Sequence, residues 1–156
     1  MSQVATRLSE LGVTIPTVSA PAGAYIPAVI SGRLVFTAGQ LPFVDGALPA
    51  TGKVGEGAGL VSPTDAKGYA RLSAVNALAA VESVLGSLDR VTRIVKVVGF
   101  VASDPSFSGQ PGVINGASEF LVDVFGDQGI HARSAVGVAV LPLDSPVEVE
   151  LIVEFD

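Results

Sequence analysis

His131-Ala132-Arg133-Ser134-Ala135-Val136-Gly137-Val138-Ala139-Val140, then Leu141-Pro142-Leu143-Asp144-Ser145-Pro146, then Val147-Glu148-Val149-Glu150 is the run whose reading decides the fold. Val136, Val138 and Val140 alternate with Ala135, Gly137 and Ala139. After the second proline, Val147, Val149, Leu151, Val153 and Phe155 alternate with Glu148, Glu150, Ile152 and Glu154. A period of two puts successive side chains on opposite faces of a strand. The two prolines flanking Asp144-Ser145 suit a connection, because proline cannot donate to a sheet ladder. The spacing predicts a β-hairpin.

Three charged residues punctuate the two arms of this run. Arg133 opens its first arm, and Glu148 and Glu150 share a face of its second. A guanidinium grips a carboxylate through two parallel N–H···O bonds, and a glutamate on a sheet face can orient water or act as a general base. By pattern alone, Arg133 serves equally as an edge-strand charge and the glutamates as solvent-facing residues. In a hairpin turning between Leu143 and Asp144, Arg133 would lie opposite Glu154 and Glu148 opposite Ala139. That places Arg133 and Glu148 roughly 20 Å apart at ~3.3 Å per residue. A small-molecule site using both therefore predicts an oligomer.

Outward from this run, Val91 to Ala102 reads as a strand, its near-continuous apolar character suggesting a central position buried on both faces. Pro111 to Phe125 reads as a helix with an apolar stripe of Val113, Ile114, Ala117, Phe120, Leu121 and Val124, ending at Gly126; Asn115 lies off the stripe. Ser62-Pro63-Thr64-Asp65 is a helix start with serine at the N-cap and proline in the first turn, and that helix runs to Leu85 before Gly86. Its Asn76 reads as a solvent-facing or capping residue. Tyr25–Ile30 and Leu34–Ala38 read as a strand pair about a Ser31-Gly32-Arg33 turn, Gly39 as a strand end or a close backbone approach, and Phe43–Leu60 as a glycine-rich surface excursion. Ser2–Leu11 forms a short helix before Gly12. The order helix, strand pair, helix, strand, helix, strand, strand fits an α+β domain of two layers: a mixed sheet with two long helices on one face.

Composition narrows the function. At 156 residues the chain is one domain by length, 49% hydrophobic and only 15% charged. That apolar excess is consistent with surface buried between subunits. A net charge of −6 with scattered Lys and Arg disfavours nucleic acid as a partner. With no cysteine and a single histidine, a transition-metal site is not expected. No run suits a membrane span, and Met1–Arg7 lacks a basic and then apolar leader, which gives cytoplasmic localisation as the expectation.

The chain resembles the Rid (reactive intermediate deaminase, or YjgF-like) family, whose older members were labelled endoribonuclease L-PSP. The resemblance is carried by Ala132-Arg133-Ser134-Ala135-Val136, Leu141-Pro142 and Val147-Glu148-Val149-Glu150, by Val35-Phe36-Thr37-Ala38-Gly39-Gln40-Leu41-Pro42, by Tyr25 ahead of that strand, and by Asn115. It covers residues 19–156 as the family domain and leaves 1–18 as an N-terminal helical extension. Ala38 stands where many members have Ser, Ala135 where many have Cys, and Ala24 and His131 where Pro is common, which places the chain in a divergent branch.

The resemblance implies a chorismate-mutase-like fold in a homotrimer with clefts between subunits. It also implies hydrolysis of 2-imino or enamine acids to 2-oxo acid and ammonia without metal or cofactor. Arg133 would hold the carboxylate of a small substrate and Glu148 of a neighbouring subunit would activate water, as catalytic residues. Tyr25, Ala38, Gly39, Asn115 and Ala135 would bind substrate. His131 could line the substrate pocket, but a lone histidine beside a turn is by default a surface residue. A non-catalytic carboxylate-binding or regulatory module is the alternative. An endoribonuclease fits the acidic charge less well, and a chorismate mutase rests on fold analogy alone.

Overall fold

The computed structural model describes residues 2–21 and 23–156. It contains helices α1 (Gln3–Glu10), α2 (Pro63–Leu85) and α3 (Gln110–Phe125), and strands β1 (Ala28–Ser31), β2 (Leu34–Thr37), β3 (Val91–Ala102), β4 (Ala132–Val138) and β5 (Val147–Phe155). The five strands form one mixed sheet in the order β1-β2-β5-β3-β4. The architecture is the expected α+β one, with a chorismate-mutase-like fold.

Local chemistry sets the helix limits where the sequence places them. The Ser62 hydroxyl accepts from the Asp65 N–H, Pro63 occupies the first turn, and Gly86 closes α2 in the left-handed region at φ 79°. The Ser2 hydroxyl likewise caps α1 through the Ala5 N–H. α2 is rich in alanine, and Ala66, Ala70, Ala74, Ala77 and Ala80 are fully buried. The helices themselves approach closely: a Cβ on Gly116 of α3 would overlap the Lys67 carbonyl of α2. Beneath α3, Gly99 of β3 leaves the space that Ile114 fills. The core lies between this helical layer and one sheet face, with Val35, Ile94, Val97, Val101, Val147, Val149 and Val153 directed into it.

The predicted hairpin does not form. β4 pairs in parallel with β3, β5 pairs antiparallel with β3, and β3 therefore lies between the two arms. The eight residues between them are too long for a tight hairpin and contain a 3₁₀ turn at Pro142–Asp144, with Leu143 and Asp144 at φ 58° and 57°. The 12-residue β3 offers both its edges, and each arm takes one. The period-two pattern reports faces correctly and says nothing about which strand is the neighbour.

Three smaller expectations also change. β3 is central, but only its helix-facing side is fully buried; Val95, Val98 and Phe100 on the other side are half-buried within this chain. β1 begins at Ala28, so Tyr25 precedes it. The 43–60 segment is not merely superficial. Val54 is fully buried and bridges both Val61 and Ser103.

Candidate functional site

β2 leaves the ladder and rejoins it with one extra residue. Phe36 pairs with Ile152 and Gln40 with Val149, so four steps along one chain match three along the other. The Leu151 N–H bonds to the Thr37 hydroxyl at 2.9 Å, and Gln40 and Val149 exchange backbone bonds of 2.8 and 3.0 Å. This is a β-bulge, a device that re-aims side chains near sites. Its product is contact between Gly39 and Glu148: a Cβ on Gly39 would overlap the Glu148 carboxylate. Glycine leaves the space that this carboxyl group occupies, and any side chain there would have to displace it.

A cavity of about 410 Å³ opens beside this contact, lined by Tyr25, Gly39, Leu41, Phe43, Leu143 and Glu148 among others. Asn76 of α2 holds one wall. Its amide donates to the Leu41 and Phe43 carbonyls at 2.9 and 3.1 Å, and it is buried rather than solvent-facing. Pro142 and Leu143 also line the cavity, in a turn anchored where the Gly52 N–H donates to the Asp144 carbonyl at 2.8 Å. Burial raises the Glu148 pKa above the ordinary glutamate value, and the neighbouring Glu150 charge adds to the rise. A carboxylate so placed is a better proton acceptor than one in open water.

Arg133 stands elsewhere. It is level with Val97 of β3 and through it with Leu151 of β5, three residues from Glu148. The odd interval puts Arg133 on the helix-facing side of the sheet and Glu148 on the open side. Three residues and two strand spacings separate them by about 14 Å at the Cα atoms, in place of the longer hairpin distance. The expectation that one chain cannot bring both to one small ligand survives the correction. The predicted site residues divide into two groups: Tyr25, Gly39 and Glu148 at the cavity, with Ala38 adjoining Gly39 in the bulge, and Arg133, Asn115 and Ala135 between β4 and α3.

At that second group, Arg133 Nη1 donates to Asn115 Oδ1 at 2.7 Å and to Ser118 Oγ at 3.3 Å. His131 Nε2 lies 2.9 Å from the same Ser118 hydroxyl, and Nδ1 lies 2.6 Å from the Gly129 carbonyl oxygen. The histidine is thus half-buried and bonded at both nitrogens, not a bystander on the surface. Sequence reasoning missed Ser118. Its position three residues after Asn115, on the same face of α3, was the available signal.

Comparison with known proteins agrees with the fold. Residues 5–155 match the family model described as "YjgF/chorismate mutase-like, putative endoribonuclease". Protein TCP17 of Trypanosoma cruzi is 42% identical over 155 residues, covering 99% of this chain and 95% of that protein. The crystal structure of Atu1372 from Agrobacterium tumefaciens, described as of unknown function, superposes with a TM-score of 0.90 at 43% identity, covering 99% of this chain and 93% of that one. Escherichia coli TdcF, solved with bound serine, superposes with a TM-score of 0.66 at 28% identity, covering 92% and 96%. The chain belongs to the YjgF-like, or Rid, family.

Proposed function

We propose that this protein is a hydrolytic deaminase that converts 2-imino or enamine acids to 2-oxo acid and ammonia, in clefts shared by subunits of a homotrimer. The observation that carries the reading is the division of the site. A carboxylate with a raised pKa lines a cavity on one side of the sheet, and a guanidinium with an open edge stands on the other side at the sheet's margin. Assembly of copies edge to edge would let Arg133 of one subunit approach Glu148 of the next.

The chemistry asks little more. Arg133 would hold the substrate carboxylate through two N–H bonds and so fix the C=N carbon. Glu148 would take a proton from water as its oxygen bonds to that carbon and the C=N pair passes to nitrogen, and return it to that nitrogen; it would then carry the hydroxyl proton of the carbinolamine to the nitrogen as the C–N bond breaks, giving 2-oxo acid and ammonia. The open sheet face supplies a reason to assemble. Val29, Phe36 and Val136 on it are 50%, 38% and 44% exposed, with Val98, Phe100 and Ile152 between them. TdcF, a relative of known structure, holds serine, which has the same carboxylate end as the proposed substrates.

The test is 2-oxo acid release from imines generated in situ by an amino-acid oxidase. Acceleration by the wild type and its loss in Arg133→Ala is the expected result. Specific binding of 2-oxo acids without acceleration of any imine would replace this reading with that of a carboxylate-binding module.

A further inference from the structure

We propose that Ser118 and His131 are positioning residues for Arg133, forming an oriented hydrogen-bond chain that commits one edge of the guanidinium to the protein and leaves the other for a carboxylate. The proposal rests on the reading of Arg133 as the substrate anchor and adds to it a device made of residues with no assigned role.

The direction of every bond in the chain follows from its end. The Gly129 carbonyl oxygen can only accept, so His131 Nδ1 carries the proton of that 2.6 Å bond. In the neutral ring Nε2 is then an acceptor, and it takes the Ser118 hydroxyl proton at 2.9 Å. The Ser118 oxygen, its proton so directed, accepts from Arg133 Nη1 at 3.3 Å. The other Nη1 hydrogen goes to Asn115 Oδ1 at 2.7 Å. A doubly protonated ring would break this order. Both Nε2 and Nη1 would donate to Ser118, whose own proton has no other acceptor among the described residues.

Both Nη1 hydrogens are thereby committed. Nε–H and the Nη2 group make no hydrogen bond to the described residues, and they form the edge on which a carboxylate binds bidentately. Arginine loses side-chain freedom when it binds, and a chain that has already fixed the planar group removes that cost from substrate binding. The effect belongs to binding substrate and transition state alike, so it falls on KM rather than kcat.

His131 is the only histidine in the sequence, so ¹⁵N-histidine labelling gives one pair of ring signals. In alkaline buffer these should report Nδ1 protonated and Nε2 as a hydrogen-bonded acceptor, with Nε2 moving in Ser118→Ala. In the imine assay, Ser118→Ala and His131→Leu should raise KM about tenfold with kcat within about twofold of the wild type, the signature of lost uniform binding. Ser118→Thr keeps the hydroxyl and His131→Gln keeps an acceptor, and both should restore KM most of the way. A ring protonated at Nε2, or a wild-type KM in Ser118→Ala and His131→Leu, overturns the proposal. So does an equal defect in the conservative and disruptive pairs. Turnover that survives Arg133→Ala removes the anchor itself; turnover lost in Arg133→Ala with KM intact in the other variants removes only the positioning role.

Discussion

At the residue scale, Glu148 holds a carboxylate where its ionised form is disfavoured, first by burial and then by Glu150. A folded-state pKa above the unfolded value contributes stability that is fully present below the unfolded value and is lost as pH rises through the folded one. Glu148→Gln should therefore stabilise the chain at neutral pH, by about 1–2 °C in Tm once solvent screening of a half-exposed group is discounted. The gain should fade on acidification to below the ordinary glutamate range. Thermal melts of both proteins from pH 4 to 8 check this. A gain that grows in acid would contradict the assigned direction. Deamination should fall in the same variant, so the residue would be retained at a cost to stability. Gly39 is bound to the same group. Gly39→Ala must displace the Glu148 carboxylate, and its deaminase rate should drop toward that of Glu148→Gln while the fold persists by circular dichroism.

At the scale of elements, the cavity is shaped by α2 and two loops rather than by the sheet alone. Asn76→Ala removes both donors that α2 offers to Leu41 and Phe43 and leaves those carbonyls unpaired. The expected loss is about 1–3 kcal/mol in urea unfolding, with faster amide exchange in residues 41–47. Residue patterns made much of this architecture legible. Ser62, Pro63 and Gly86 bounded α2, because caps act locally and need no tertiary knowledge. The same holds for β3, whose apolar run ended at Ser103-Asp104. Strand adjacency was not legible. Arg133–Val138 and Val147–Phe155 look like hairpin partners, and only the length of the connection argued otherwise. Asn76 was misread for a related reason. A polar residue in an alanine-rich helix signals burial only when the carbonyls it satisfies are known, and these lie 33 and 35 residues away in sequence. Arg133, Glu148 and Gly39 were legible as a motif, but the bulge that presses Gly39 on Glu148 was not.

At the scale of the whole molecule, a shared site makes a quantitative demand. Arg133→Ala and Glu148→Gln would each be inactive alone. In a trimer that holds both variants, about one cleft in three would draw a sound Arg133 from one subunit and a sound Glu148 from the next, and activity should recover to about a third of wild type. Co-expression with two affinity tags, purification through both and the imine assay would measure it. Persistent inactivity in verified mixed assemblies would place the whole site within one subunit. The sheet order has a separate bearing, on biosynthesis. β1–β2 is one local unit and β3–α3–β4 another, and nothing joins their strands except β5, which follows every other element in sequence and inserts between them. A nascent chain can close either unit as it emerges, yet the sheet has a gap at its centre until the final strand arrives. Contacts so distant in sequence slow folding, and translation that stops short of Val147 would yield two half-sheets, each with an exposed apolar edge for chaperones or proteases to find.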